Sequence, residues 1–260
     1  MSNRKVAIVT GGTRGMGQAV SVTLAKAGMD IIALYRSNEL SAKETKRKMD
    51  EYGGNHKIIR ADVTIKSDID VVMEQVNKAY GRADVLVSNA GIFGFNFIED
   101  MTEEYLDHIL AVNFKSAFLM TKAVLPYMKK QKGGRIVYAS SISSHYADCG
   151  LVGYGASKAC IDMLTKIGAA ELGPYNITVN AYAPGIIETD MTADMIHERG
   201  EDQVKQISLN KFGKGQDVAN LVQFLVSPEG GYITGEIIGV DGGMLKVQNP
   251  YRAYEKAKDE

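Results

Sequence analysis

The sequence predicts an α/β fold: one domain built on a doubly wound parallel sheet of about seven strands with helices on both faces. Two observations carry this. Short β-branched runs recur along the chain, separated by helix-period stretches of 15 or more residues, as βαβ crossovers require. The first run also opens directly into the glycine-rich turn Thr10-Gly-Gly-Thr-Arg-Gly-Met-Gly17 and then into a helical pattern.

The runs are, in order, Val6–Thr10, Ile31–Tyr35, Lys57–Arg60, Val85–Val87, Arg135–Tyr138, Ile177–Asn180 and Ile237–Val240. Near-continuous apolar stretches of this length, bounded by glycine or polar turns, fit strands covered on both sides. Ala19, Val22, Leu24 and Ala25 give the first helix its apolar face. Thr102, followed by Glu103 and Glu104, is an N-cap with acids in the first turn. It opens a long helix through Ile109, Phe114, Phe118 and Leu125 to about Lys130, which Gly133-Gly134 ends. A second helix runs from Tyr154 through Cys160, Met163, Leu164 and Ile167 to Leu172 and stops at Gly173-Pro174. Thr189 to about Gln206 is polar and strandless, the pattern of a lid. There is no internal repeat.

Composition narrows the partners. A chain of 260 residues can bury roughly three quarters of its unfolded surface in one core. Lys and Arg total 30 against 31 Asp and Glu, so no excess of charge points to nucleic acid or an anionic membrane. The four histidines and the two cysteines, Cys149 and Cys160, show no metal-ligand spacing, and no metal is expected. The apolar run Val6–Val9 is too short for a signal-peptide core, and no segment approaches the ~18 apolar residues of a membrane span. The expectation is a cytoplasmic protein with reduced thiols.

The glycine turn predicts a dinucleotide pyrophosphate. Gly11, Gly15 and Gly17 allow a tight turn and close backbone approach, and the following helix offers free N–H groups to phosphate. At the far end of the chain's logic stands Tyr154-Gly-Ala-Ser-Lys158, with Ser141 13 residues before the tyrosine. Four residues on a helix put Tyr154 and Lys158 on one face. A lysine cation ~4 Å from the phenol, at an effective dielectric of ~20, stabilises tyrosinate by about 4 kcal/mol, roughly three pKa units. That makes a tyrosine an effective proton donor near neutrality. Tyr254 and Lys258 have the same spacing, but Asp241 stands where the serine should be.

Several separated motifs in this order resemble the short-chain dehydrogenase/reductase family over nearly the whole chain, up to about Gly243. The resemblance implies a Rossmann fold in residues 1–244, which bind the dinucleotide and carry catalysis, followed by a C-terminal tail, 245–260. It implies an NADP(H)-dependent oxidoreductase acting on a ketone or secondary alcohol. Within the turn it assigns Thr13, Arg14 and Met16 to the cofactor with the three glycines. Beyond the turn it assigns Asp62 and Val63 to the adenine, and Asn89, Ala90 and Gly91 to the element after the fourth strand. Pro184, Gly185, Ile187 and Thr189 belong to the nicotinamide-side loop, with Tyr154 and Lys158 also touching the cofactor. Arg14 and Arg36, where an acid would select NAD, imply NADP.

The same resemblance makes Ser141, Tyr154, Lys158 and Asn113 a catalytic set, Asn113 holding a water that relays protons to Lys158. His145, four residues past Ser141, is a candidate substrate contact. Asn180–Met191 and Ile233–Met244 resemble the 3-oxoacyl-acyl-carrier-protein reductase branch; Tyr175, where carrier docking favours arginine, and the 245–260 tail depart from it. A small diketone, a hydroxyketone, a steroid ketone and a keto-sugar fit the same motifs, and a cofactor-binding regulatory protein is the non-enzymatic alternative. Phe93, Phe95 and Phe97 follow Gly91 and are candidates for an apolar pocket. The family also implies a homotetramer, with the Thr102 and Tyr154 helices at the interfaces and the tail from Tyr251 disordered or reaching across subunits.

Overall fold

The computed structural model describes residues 4–257. Its strands are β1 Val6–Thr10, β2 Asp30–Tyr35, β3 Lys57–Arg60, β4 Val85–Ser88, β5 Gly134–Ala139, β6 Ile177–Pro184, β7 Ile187–Glu188, β8 Gly213–Lys214 and β9 Ile237–Val240. Seven of them form one parallel sheet in the order β3-β2-β1-β4-β5-β6-β9. These are the seven runs that the sequence singles out. They are legible because both faces are covered: Ala7, Ile8 and Val9 are wholly buried, so a strand shows as an unbroken apolar run. The chain winds outward from β1 to β3 and then restarts at β4 on the other side of β1. That reversal opens a crevice at the carboxyl ends of β1 and β4, where ligands bind in doubly wound sheets.

Helices cover each face. One core layer joins Val20, Leu24 and Ala25 of α1 (Gly15–Lys26) and Met49 of α2 (Glu39–Asp50) to Val9 and Ala33. The other joins Ile69 and Val72 of α3 (Lys66–Tyr80) to Leu86 and Ile136. The long helix predicted from Thr102 is two: α4 (Glu103–Leu110) and α5 (Ser116–Gln131), joined by a π-helical turn over Ala111–Lys115. Thr102 caps α4 by accepting from the Tyr105 N–H at 3.2 Å. The helix ends one residue earlier than the glycines suggest, with Lys132 left-handed at φ 56°. Gly134 has another task, because a Cβ there would sit 2.4 Å from Met128 Sδ.

Contrary to the sequence expectation, the helical run Glu103–Gln131 is long and apolar enough to cross a membrane by length and composition. Its apolar side is a core side: Ile109, Val112, Met120, Val124 and Met128 are buried in the fold. The Tyr154 helix, α6, spans Val152–Leu172. The stretch expected to form a lid is helical, with α7 (Ala193–Val204) between β7 and β8, which pair as a two-residue ladder. It is held by a small cluster of Ile186, Ile207 and Met244 with Met195, Ile196 and Phe212 packed on it. α8 (Gly215–Val226) then packs Val218, Val222 and Leu225 beside α1.

The described part of the tail folds onto its own chain as a short helix, α9 (Arg252–Lys256), and the Tyr254 hydroxyl donates to the Ser208 carbonyl at 2.7 Å. Lys258 lies outside the described residues.

Candidate active site

The crevice is lined by Gly11, Thr13, Arg14, Gly15, Met16, Arg36, Asp62, Val63, Asn89, Ala90, Gly91 and Thr189, all expected from the sequence. Gly11 and Gly15 take positive φ, 59° and 51°. Gly17 lies beneath the turn rather than on the crevice: a Cβ there would come 2.1 Å from the Gly11 carbonyl oxygen and 2.6 Å from Asn89 Nδ2. Thr10 Oγ1 accepts from the Asn89 and Ala90 N–H groups at 3.0 and 2.9 Å, and Asn89 Nδ2 donates to the Gly11 carbonyl at 3.1 Å. These bonds tie the end of β4 to the glycine turn.

The start of α1 has no acid in its first turn, and the Arg14 side chain makes no capping bond, so its N–H groups face an anion site. Arg14 and Arg36 are both exposed at the crevice, and Arg60 Nε donates to the Arg36 carbonyl at 3.0 Å. Asp62 Oδ1 accepts from Thr64 through N–H and hydroxyl at 2.9 and 2.7 Å. Burial pushes the Asp62 carboxyl up, but these two bonds and the Arg36 charge together hold it below its ordinary value. An open helix N-terminus, a glycine cradle and two exposed arginines fit a dinucleotide with an additional phosphate on its ribose.

Tyr154, Lys158, Ser141 and Asn113 do not themselves line the crevice; α6 carries Tyr154 and Lys158 on one face, with Lys158 next to Gly91 of its lining. Ser141 sits just past β5, 5% exposed, its Oγ accepting from the Ser143 N–H at 3.1 Å. The π-helical turn swings Asn113 into the protein, 2% exposed. Its Oδ1 accepts from the Ile92 N–H at 2.8 Å, and its Nδ2 donates to the Ile92 carbonyl and to Ser157 Oγ, both at 3.0 Å. Ser157 in turn donates to the Tyr154 carbonyl at 2.6 Å. Asn113 therefore braces the loop after β4 against the first turns of α6. Gly91 lies where they meet, since a Cβ there would stand 3.3 Å from Asn113 Oδ1 and 3.6 Å from Lys158 Nζ.

The electrostatics differ from the sequence expectation. Burial pushes the Tyr154 phenol above its ordinary value, opposed by a hydrogen bond with Ser141. Lys158 is lowered to about 8 by burial, with the Asp162 carboxylate pulling the other way. Its Nζ donates to the Ala139 carbonyl at 2.8 Å and stands 5.6 Å from the Tyr154 ring centroid. The ammonium is thus held against the end of β5, and burial leaves the phenol raised rather than lowered. Tyr182, on β6, is pushed up by burial and by Tyr154, and its hydroxyl donates to Asn89 Oδ1 at 2.8 Å.

Not every expected residue faces the crevice. Ile187 is 3% exposed and packs its side chain into the core, and Gly185 lies against Asp241, where a Cβ would be 3.0 Å from its Cα. Pro184 ends β6 behind the crevice rim. His145 lines a separate surface groove with Phe97, Cys149 and Ala156, whose lining does not include Tyr154 or Ser141. Phe93 stacks edge-on against Tyr154 at 4.9 Å and against Phe95 at 5.2 Å, whereas Phe97 is 60% exposed. The sequence reading missed Ser37, Asn38, Ile92, Asp190 and Met191 on the crevice and Ser157 behind it. Ser157 had a signal, its place inside Tyr154-Gly-Ala-Ser-Lys158.

A family profile described as enoyl-(acyl carrier protein) reductase matches residues 11–245. The chain is 40% identical over 247 residues to the 3-oxoacyl-acyl-carrier-protein reductase FabG of Thermotoga maritima, covering 93% of this chain and 98% of that protein. It is 37% identical over 243 residues to FabG of Escherichia coli, covering 94% and 98%. A short-chain dehydrogenase/reductase from Serratia marcescens superposes with a TM-score of 0.87 at 33% identity, covering 92% of this chain and 97% of that one. A putative short-chain alcohol dehydrogenase from Sinorhizobium meliloti gives 0.89 at 34%, covering 95% and 98%. With its parallel seven-stranded sheet and a crevice whose lining fits a phosphate-bearing dinucleotide, the chain belongs to the short-chain dehydrogenase/reductase family, as an NADP-dependent oxidoreductase acting on CH–OH groups.

Proposed function

We propose that this enzyme reduces the ketone of a 3-oxoacyl thioester with NADPH, and that Ser141, Tyr154, Lys158 and Asn113 carry the chemistry. The observation behind the residue roles is that Asn113 and Lys158 meet at Gly91 of the crevice, while Tyr154 shares α6 with Lys158 and a hydrogen bond with Ser141. The thioester follows from the relatives, two of them 3-oxoacyl reductases of full matching length.

NADP(H), when bound, supplies the hydride in reduction and takes it up in oxidation. Arg14, Arg36, Asp62 and the turn from Gly11 to Gly17 would hold its adenosine end, and Lys158 its nicotinamide ribose. Ser141 bonds the substrate oxygen and fixes its direction. Tyr154 gives that oxygen its proton, and the raised phenol pKa keeps the proton on Tyr154 until charge develops on the substrate. Lys158, charged below about pH 8, steadies the tyrosinate left behind. Asn113 holds the floor rigid so that the donors stay aligned. Phe93 forms an apolar wall beside Tyr154.

Tyr175 carries the Lys129 ammonium 4.1 Å above its ring, which restores positive charge where carrier docking wants it. We further propose a cytosolic homotetramer assembled through α5 and α6, whose outward faces expose Phe118, Met163 and Ile167 at 42%, 57% and 48%. Gel filtration showing a monomer would overturn the assembly.

The test of function is NADPH oxidation with 3-oxoacyl thioesters beside vicinal diketones, steroid ketones and keto-sugars. Thioester turnover with the highest kcat/KM supports the reading; its absence, with turnover of another class, replaces the substrate. Tyr154→Phe should lower kcat at least 1,000-fold, on the order of what loss of a general acid costs, with NADPH affinity kept. Near-normal turnover in that variant removes Tyr154 from its role.

A further inference from the structure

The residues that grip the end of β5 come from α6, and they come in register. Lys158 Nζ holds the Ala139 carbonyl at 2.8 Å. One helical turn further on, Asp162 Oδ1 accepts from the hydroxyl of the next residue, Ser140, at 2.5 Å. The residue after that is Ser141, whose own carbonyl accepts from Ser144 Oγ at 2.7 Å. Asp162 is 7% exposed, an expensive place for a carboxylate without partners. Its second oxygen stands 3.3 Å from His145 Nδ1, which also lies 2.6 Å from Ser144 Oγ.

We infer that Asp162 is a positioning residue for the reaction: it clamps Ser140 so that Ser141 is aimed at the substrate oxygen, and its charge keeps Lys158 an ammonium ion. The inference rests on the proposed roles of Ser141, Tyr154 and Lys158. Physically, burial alone drives Lys158 toward its neutral form, and a carboxylate one turn away on the same helix face opposes this. The other titratable groups around the pair are few. Tyr154 on α6 and Tyr182 on β6 lie on the Lys158 side. His145, 53% exposed, closes the Asp162 side, and Lys166, one turn beyond Asp162, is exposed to solvent. Asp162 is therefore the one buried anion placed to hold the charge on Lys158 among the described residues of this cluster.

The experiment is an NMR pH titration of the enzyme labelled in its lysine side chains, without substrate. The Lys158 resonance is identified by its loss in Lys158→Met and titrates in the wild type with a midpoint near 8. In Asp162→Asn, which keeps an acceptor for Ser140, that midpoint falls by about one pH unit, the direction that loss of a nearby anion imposes. The alkaline limb of kcat for ketone reduction moves to lower pH with it. Ser140→Ala loosens the clamp and lowers kcat several-fold, while the Lys158 midpoint moves by less than in Asp162→Asn. Asp162→Ser, small and neutral, serves the same measurement if the asparagine variant does not fold. A Lys158 midpoint that stays at its wild-type value in the neutral variants overturns the inference. This outcome is separable from failure of the catalytic reading, which turns on Tyr154→Phe alone.

Discussion

Replacing Arg36 by aspartate should reverse the cofactor preference, and the structure sets the size of the effect. Arg36 ends β2, is exposed, and lines the crevice with Arg14. An exposed guanidinium ~4 Å from a phosphate sits between the bulk-water limit of about 1 kcal/mol per charge pair and the partly buried limit of about 4. Exposure places Arg36 near the lower limit, and the ribose phosphate carries between one and two charges. Losing the cation and gaining an anion then costs about 2–3 kcal/mol of NADPH binding, with Arg14 still in place. That is on the order of a 100-fold fall in kcat/KM for NADPH. NADH gains a carboxylate acceptor for its ribose hydroxyls, worth about 1 kcal/mol or roughly fivefold. The assay is kcat/KM for both cofactors at two ionic strengths, because an exposed arginine–phosphate contact is screened by salt. The wild-type preference for NADPH should shrink as salt rises, and that of Arg36→Asp should not. A native preference for NADH, or an unchanged ratio in the variant, refutes the argument.

Three other outcomes follow from particular contacts. Gly17→Ala puts a methyl 2.1 Å from the Gly11 carbonyl oxygen, which only movement of the turn relieves, so NADPH affinity by fluorescence titration should drop at least tenfold and Tm should fall by several degrees. Phe93→Ala removes an edge-on aromatic contact worth about 1 kcal/mol from Tyr154, and kcat/KM for the thioester should fall roughly fivefold with NADPH affinity unchanged. His56 is buried, accepts from the Ile31 N–H at 3.1 Å and is held below its ordinary pKa by burial, despite its contact with the Gly53 carbonyl. Folded His56 resists protonation while unfolded His56 takes a proton near pH 6.5, so its stabilisation is complete above that pH and is lost as pH falls toward the folded value. Tm measured from pH 7 to 5 should fall less steeply in His56→Asn than in the wild type.

The parts of this molecule that were legible in the sequence are those fixed by local periodicity. Val6–Thr10 and Ile237–Val240 could be read to the residue because each strand is bounded by turn chemistry. The glycine turn was legible because positive φ at Gly11 and Gly15 asks for glycine. What escaped depends on contacts between distant segments. The π-helical turn at Ala111–Lys115 leaves the apolar pattern of the long helix almost undisturbed, and only the bonds from Asn113 to Ile92 and Ser157 reveal what the extra residue does. The tail carries no periodic signal, and its described part is tied to the chain by the bond from Tyr254 to Ser208 and the ion pair of Lys246 with Asp241.

Lys158 shows most clearly where spacing stops and tertiary structure begins. A separation of four on a helix guarantees that Tyr154 and Lys158 share a face, and nothing more. Where the ammonium goes is decided by the acceptor within reach, and β5 ends so that the Ala139 carbonyl lies 2.8 Å away. The ammonium stands 5.6 Å from the Tyr154 ring centroid, and what lowers the phenol is its hydrogen bond with Ser141. Desolvation of the phenol outweighs that bond, so Tyr154 ends above its ordinary pKa. The same burial pulls Lys158 down to about 8, close enough to neutrality that one neighbouring carboxylate matters. The catalytic spacing is thus necessary for the chemistry, while the charge state of the pair is written in where β5 stops and in what stands one turn behind the lysine.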